Sequence, residues 1–118
     1  MNGIKEIDSC SLAALLEQDA RAVRLIDVRS SGEMAQGMLP SGEPLPLHLV
    51  PVKVDELIHN DRPVVLYCRS GARSAQAAMF LVSRGADPER VLNLRGGIID
   101  WVRQGNQLLA PDSAVMSA

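Results

Sequence analysis

The chain has 118 residues, of which 47% are hydrophobic, and a net charge of -2 at pH 7. This length allows one domain with a single core. Charges of both signs are interspersed and no sustained basic run occurs, which favours a soluble globular protein and argues against a general binder of nucleic acid or acidic membranes.

No targeting or membrane segment is recognisable in the sequence. Residues 1–20 lack a basic stretch followed by an apolar one, so no signal peptide is expected. No apolar run approaches the ~20 residues of a membrane helix. We therefore expect no membrane partner and a cytoplasmic location, where Cys10 and Cys68 should remain free thiols.

The first third of the chain alternates between strand and helix patterns. Ile4–Ile7 is expected to form a short edge strand, and a helix should follow from a polar cap within residues 8–11. Val23–Val28 is apolar at nearly every position, which is typical of a strand covered on both faces. Residues 30–37 predict one short, serine-capped helix.

The rest of the chain continues the alternation after a loop. Residues 38–47 contain three prolines and a glycine, so we expect no long regular element there. The elements predicted next are a helix with Pro51 in its first turn (50–60), a central strand (62–68), a helix ending at Gly85 (73–85), a strand (90–94) and a glycine-opened helix (96–105). From about Asn106 the periodicity is lost, and residues 106–118 are expected to form a mobile tail.

This alternation predicts an α/β fold for residues 1–105, with a small, mostly parallel sheet flanked by helices on both faces. Functional sites in such sheets form at the carboxyl ends of the strands. Cys68 lies at the end of the predicted central strand and is therefore the leading candidate for a site residue.

The loop after Cys68 has features that stabilise an anion. Gly71 permits a positive φ, so that backbone N–H groups can converge on the sulfur, and the next helix presents its positive end. Arg69 and Arg73 add permanent charge. In such surroundings the pKa of a cysteine falls well below about 8.5, which makes the thiolate available as a nucleophile without a neighbouring histidine. The alternative is a buried structural thiol beside solvated arginines.

Each of the other polar residues near this sheet edge has two alternative roles. Asp27 and Arg29 either support the loop or cap and solvate a strand end. Ser70 and Ser74 either donate to the sulfur or cap the helix, and capping is favoured for Ser74. His48, His59 and Cys10 show no metal-ligand spacing, and the glycines fit no nucleotide-binding motif, so neither metal nor cofactor is expected.

Three segments together resemble a known family. The segment YCRSGARSAQAA resembles the active-site segment of single-domain rhodaneses, the thiosulfate sulfurtransferases. LIDVRSSGEMAQG resembles their Asp-Val-Arg strand and the short helix after it. LNLRGGIIDW resembles their Gly-Gly-x-x-x-Trp element. The matches occur in family order and cover roughly residues 22–105.

The resemblance implies a rhodanese-like fold and an enzyme with a small-molecule sulfur donor. Cys68 would attack the outer sulfur of thiosulfate and pass its persulfide sulfur to cyanide or a thiol. The backbone of Arg69, Ser70, Gly71, Ala72 and Arg73 would cradle the persulfide, and both arginines would hold the donor's sulfonate. Asp27 would anchor an arginine or serine of the loop.

Two alternatives and one departure accompany this reading. The same loop suits a non-enzymatic persulfide carrier that acts with a protein sulfur acceptor. Cysteine phosphatases have a longer Cys-x5-Arg loop, whereas this chain has Cys-x4-Arg, which favours sulfur transfer over phosphate-ester hydrolysis. The family often has Gly-His-Ile-Pro-Gly-Ala and then an Asn-Ile-Pro-like turn, where this chain has GMLPSGEPLP, with Met38, Ser41, Gly42 and Pro44 at the changed positions.

Overall fold

A computed structural model describes residues 3–110 of the chain. Its five strands are β1 (Lys5–Ile7), β2 (Arg24–Asp27), β3 (Gly42–Pro44), β4 (Val64–Tyr67) and β5 (Val91–Leu94). Its five α-helices are α1 (Ser9–Gln18), α2 (Ser31–Met34), α3 (Val54–Ile58), α4 (Ala72–Ser83) and α5 (Gly97–Arg103). A 3₁₀ helix spans Leu47–Lys53 and leads into α3.

The five strands form one sheet in the order β1-β5-β4-β2-β3, and all of their pairings are parallel. The expected α/β class is confirmed. β4 is central, as predicted, and Val64–Tyr67 is buried throughout, which is typical of a strand covered on both faces. Because parallel strands share their direction, the carboxyl ends of β2, β4 and β5 meet at one edge, where Cys68 follows β4.

Side chains of β4 alternate between two hydrophobic clusters, one on each face of the sheet. Val64 and Leu66 belong to the cluster that includes Leu81 of α4. Val65 and Tyr67 belong to the cluster that includes Trp101 of α5. The sheet is therefore held between helices on both sides, and this places the starts of α4 and α5 next to each other beside the end of β4.

The proline-rich segment contains a short strand where we expected only a loop. Gly42–Pro44 forms β3, with Gly42 opposite Leu25 and Pro44 opposite Asp27. β3 lies at the edge of the sheet, where proline is tolerated because one side of the strand makes no ladder bonds. The helix predicted for residues 50–60 also differs, since its first part is the 3₁₀ helix, with Pro51 inside it.

Part of the predicted tail contacts the rest of the domain. Met38 and Leu109 form an antiparallel bridge, in which each backbone N–H donates to the other residue's carbonyl at 2.8 Å. The indole Nε1 of Trp101 donates to the Gln107 carbonyl at 2.9 Å. Residues 106–110 therefore lie against the domain, and the rest of the predicted tail lies outside the described residues. Within residues 3–110 no helix is long and apolar enough to cross a membrane.

Candidate functional site

Cys68 is the residue immediately after β4 and is only 1% exposed. Its Sγ accepts hydrogen bonds from the backbone N–H of Gly71 at 3.1 Å and of Ser74 at 3.4 Å. The Ser74 Oγ also lies 3.4 Å from the sulfur. Of the amides from Arg69 to Arg73 that were expected to cradle the sulfur, only that of Gly71 makes one of these two bonds, and the second comes from Ser74, beyond that range. Cys10 is a second free cysteine, and it is exposed.

The turn between β4 and α4 requires a glycine. Gly71 is the N-cap of α4 and has φ of 107°, in the region that disfavours side chains. This conformation turns its N–H inward to the sulfur and starts the helix, whose first-turn amide at Ser74 then points at the same atom. Gly71 caps the helix through its backbone, so the Ser74 side chain is left to face Cys68 instead of capping.

Opposing effects act on the pKa of Cys68, and the net result is a pKa below the ordinary value. Burial raises the pKa, because it penalises the thiolate. Hydrogen bonds from the Ser74 hydroxyl and from the amides of Ser74, Gly71 and Ser70 lower it by more. The cradle therefore favours the nucleophilic form of a sulfur that is almost inaccessible to water.

The first residues of α5 donate hydrogen bonds to backbone carbonyls of the cysteine loop. The N–H of Ile98 donates to the Cys68 carbonyl at 2.9 Å, and that of Ile99 donates to the Arg69 carbonyl at 3.2 Å. Gly97 makes this approach feasible, because a Cβ there would lie 2.3 Å from the Arg69 oxygen. The two helix-start amides thus fix the loop carbonyls outward and leave the loop N–H groups facing the sulfur.

Replacing Gly97 by alanine is expected to lower the free energy of unfolding by about 3 kcal/mol, since φ is +59° and the Cβ meets backbone. Gly105→Ala is the matched control, because Gly105 also has a positive φ but nothing within 4 Å of its Cβ. That control should cost about 1 kcal/mol. Urea unfolding measures both, and equal losses would contradict the close approach of α5 to the loop.

The guanidinium of Arg73 is paired with the carboxylate of Glu33 from α2. Two parallel hydrogen bonds join them, Nη1 to Oε1 at 2.8 Å and Nη2 to Oε2 at 2.9 Å. Glu33 also accepts from the backbone N–H of Ser30, which completes a capping box at α2. The sequence analysis missed Glu33, whose position three residues after Ser30 signals the box but not the arginine.

Glu33→Gln is expected to destabilise the protein by about 0.5–1 kcal/mol at pH 7. The hydrogen bonds from Arg73 lower the pKa of Glu33 to about 2 from its ordinary 4.5. The ion pair therefore contributes fully above pH 4.5 and is lost as the pH falls through about 2. Urea unfolding at pH 7, 4 and 2.5 should show the difference between the wild type and this variant shrinking with acid, and a constant difference would refute the assignment.

The other loop residues lie at the mouth of the site. Arg69, Ser70 and Ala72 are exposed, and within residues 3–110 no carboxylate pairs with the Arg69 guanidinium. A cleft of about 400 Å³ opens beside the loop and is lined by Arg29, Glu33, Gln36, Gly37, Arg69, Ile98, Ile99, Val102 and Leu108. The ordered segment 106–110 supplies one wall of this cleft through Leu108. The site thus combines a recessed sulfur, an unpaired cation and a partly apolar entrance.

Asp27 pairs with Arg29 and not with an arginine or serine of the cysteine loop. The Arg29 guanidinium donates to both Asp27 oxygens at 2.8–3.1 Å and to the Gly37 carbonyl at 2.6 Å. Both side chains are buried, with Asp27 at 0% and Arg29 at 6% exposure. The pair therefore joins the end of β2 to the turn after α2, which borders the cleft, so its support of the loop is indirect.

Asn93 of β5 is a further site residue that the sequence analysis missed. It is 2% exposed, and its side-chain amide contacts Gly71 of the cysteine loop and Ser74 in the first turn of α4. No sequence motif identifies Asn93, because the contacts of an asparagine in an apolar strand are set only when the sheet is assembled. Residues 3–110 contain no group of three or more His, Cys, Asp or Glu side chains able to hold a metal ion.

The sequence of this chain is similar to a known domain family and to named bacterial proteins. The rhodanese-like domain family matches residues 11–104. A sulfurtransferase from Allochromatium vinosum is 51% identical over 109 residues, which cover 92% of this chain and 98% of that protein. YtwF from Bacillus subtilis is 35% identical over 98 residues, which cover 83% of this chain and 90% of that protein.

Solved structures agree on the fold. A rhodanese-related protein from Thermoplasma volcanium superposes with a TM-score of 0.75 at 24% identity, covering 90% of this chain and 98% of that chain. The cradle around Cys68, the family match over most of the chain and the relatives together lead to one conclusion. The chain belongs to the rhodanese-like sulfurtransferase family.

Proposed function

We propose that the protein transfers sulfane sulfur from thiosulfate, or a similar small donor, through a persulfide on Cys68 to a thiophilic acceptor such as cyanide or a thiol. The observation that carries this proposal is the recessed Cys68 sulfur, which accepts hydrogen bonds from the Gly71 and Ser74 amides. These donors stabilise negative charge on the sulfur before the reaction and on the persulfide after it.

The first step is a displacement at sulfur. The Cys68 thiolate attacks the outer sulfur of thiosulfate, a new S–S bond forms, and the old S–S bond breaks with its electron pair leaving on sulfite. In the second step cyanide attacks the terminal sulfur of the persulfide, thiocyanate leaves, and the thiolate returns. Charge balances in both steps and no external oxidant or reductant is needed.

Donor binding is assigned to the residues at the mouth. Arg69 is the cation available to the sulfonate, because Glu33 already holds Arg73. An anionic donor therefore meets Arg69 first and reaches Arg73 only by competing with a carboxylate. The exposed Ser70 and Ala72 complete the rim, with Gly71 below them. Because Cys10 and Cys68 are free thiols, a reducing cytoplasm belongs to the same proposal.

The test is the intact mass of the wild-type protein after brief exposure to thiosulfate. We expect a gain of one sulfur atom, which cyanide removes with release of thiocyanate, and no gain after prior alkylation of the thiols. Steady turnover with thiosulfate and cyanide supports the enzyme. Loading that discharges only to a protein thiol would show a persulfide carrier instead. No loading from thiosulfate or polysulfide would overturn sulfur transfer through this site.

A further inference from the structure

The hydrogen-bond network around Asn93 determines where the hydroxyl proton of Ser74 lies. The Nδ2 of Asn93 donates to the Gly71 carbonyl and to the Glu6 carboxylate, both at 3.2 Å. Both of these partners are acceptors only, so the amide nitrogen must face them. The Oδ1 of Asn93 is thereby turned to Ser74, whose Oγ lies 2.5 Å away.

Ser74 has a single hydroxyl proton and two neighbours that could accept it. The Asn93 oxygen is at 2.5 Å and the Cys68 sulfur is at 3.4 Å. Ser74 is 0% exposed, so water does not supply a third partner from bulk solvent. When the proton lies on the short bond to Asn93, the contact with the sulfur has the Ser74 oxygen as acceptor, and this suits a thiol that donates its own proton.

We propose that Asn93 is a positioning residue, which holds the Ser74 hydroxyl proton so that Ser74 faces the Cys68 thiol as an acceptor and donates to the sulfur only when it becomes an anion. The inference concerns the sulfur used in the proposed function. Forming the thiolate then removes the bond from the thiol to Ser74 and breaks the bond from Ser74 to Asn93, while it makes one new bond from Ser74 to the sulfur. This limits the stabilisation of the anion, and a less stabilised thiolate is the better nucleophile.

The effect of the charged groups around the site must be distinguished from the effect of the Ser74 proton. They are Glu6 from β1, Asp27 at the end of β2, Arg29 after it, Glu33 from α2, Arg69 from the loop, Arg73 from α4, Arg95 after β5 and Asp100 from α5. Most of them are paired: Glu6 with Arg95, Asp27 with Arg29, and Glu33 with Arg73. None of these charges is removed in the variants below; Glu6 loses its contact with Asn93 but keeps its pair with Arg95, and this loss is the same with Ser74 or Ala at position 74.

The test measures the rate of iodoacetamide alkylation of Cys68 against pH, in a Cys10→Ser background so that only one thiol reacts. Alkylation needs no sulfur transfer, so the result stands apart from that of the proposed function. Asn93→Leu should lower the pH midpoint by about one unit, a tenfold gain in thiolate below it, because the freed hydroxyl now donates to the sulfur. A midpoint that is unchanged or raised would overturn the proposal.

Ser74→Ala distinguishes positioning of the Ser74 proton by Asn93 from a purely structural role of Asn93. In this background Asn93→Leu should no longer lower the midpoint, whereas an equal shift in both backgrounds would show that Asn93 acts only by bracing Gly71. Ser74→Ala alone, with Asn93 present, should raise the midpoint by less than about half a unit. A rise of one to two units, the effect of losing a full hydrogen bond to a charge, would refute the proposal even if Asn93→Leu does not fold. Asn93→Val, which suits a buried strand, is the second replacement.

Discussion

Cys68→Ser is expected to take up no sulfur from thiosulfate and to retain the fold. Serine is close in size to cysteine, and the Gly71 and Ser74 amides that surround the sulfur can donate to an oxygen as well. A hydroxyl, however, has no neutral-pH anion and forms no persulfide. We expect complete loss of loading, with the free energy of unfolding changed by no more than about 1 kcal/mol.

Cys10→Ser is the matched control for this variant. Cys10 is exposed on α1, and its Sγ donates to a Gln104 oxygen at 3.7 Å, so among the described residues it has none of the loop contacts that surround Cys68. It should load like the wild type. Intact mass measures loading, and thermal unfolding followed by circular dichroism measures the fold. Sulfur uptake by the folded Cys68→Ser variant would place the carrier on another residue.

Asp27→Ala is expected to lower the free energy of unfolding by about 3–5 kcal/mol, because it leaves the buried Arg29 guanidinium without its counter-ion. The partners that remain to it among the described residues are the Gly37 carbonyl and the ring of Tyr67, whose centroid lies 6.0 Å from the guanidinium carbon. A domain of this size has a total stability of about 5–15 kcal/mol, so the melting temperature should fall by roughly 10 °C or more. Urea and thermal unfolding measure the loss.

The double variant Asp27→Leu with Arg29→Met is the control for this prediction. It replaces both charges by apolar side chains, so no buried charge is left unpaired, and it should be clearly more stable than Asp27→Ala. If the two proteins unfold at the same denaturant concentration, the loss comes from repacking at the end of β2 and not from the stranded arginine.

The order of the elements other than β3 was predictable because each of them carries a local signal. β4 is an unbroken apolar run, α4 ends before Gly85 with its positive φ, and α2 begins at a serine. β3 carries no such signal. Its three residues include Gly42 and Pro44, and they form a strand only because β2 offers an unpaired edge to them. Tertiary pairing here overrides a sequence typical of a loop.

The contacts of the candidate site also divide into those that the sequence predicts and those that it does not. Cys68 and Gly71 lie within one short loop, so their meeting follows from a strand-turn-helix unit that the sequence predicts. The pairing of Arg73 with Glu33 spans 40 residues, and that of Ser74 with Asn93 spans 19. Such partners depend on which elements become neighbours in the sheet, and residue type alone does not specify that. The sequence therefore located the sulfur and its neighbours in the loop, but not Glu33 and Asn93, which contact the loop from other elements.

The bridge between Met38 and Leu109 has a consequence for synthesis on the ribosome. A domain chain emerges from its amino terminus, and contacts between distant residues form after local ones. The segment that walls the cleft leaves the ribosome after every strand and helix described above. A nascent chain can therefore complete the sheet and the cysteine loop before Leu108 is in place beside Arg69, so the wall of the cleft is the last described part of the fold to form.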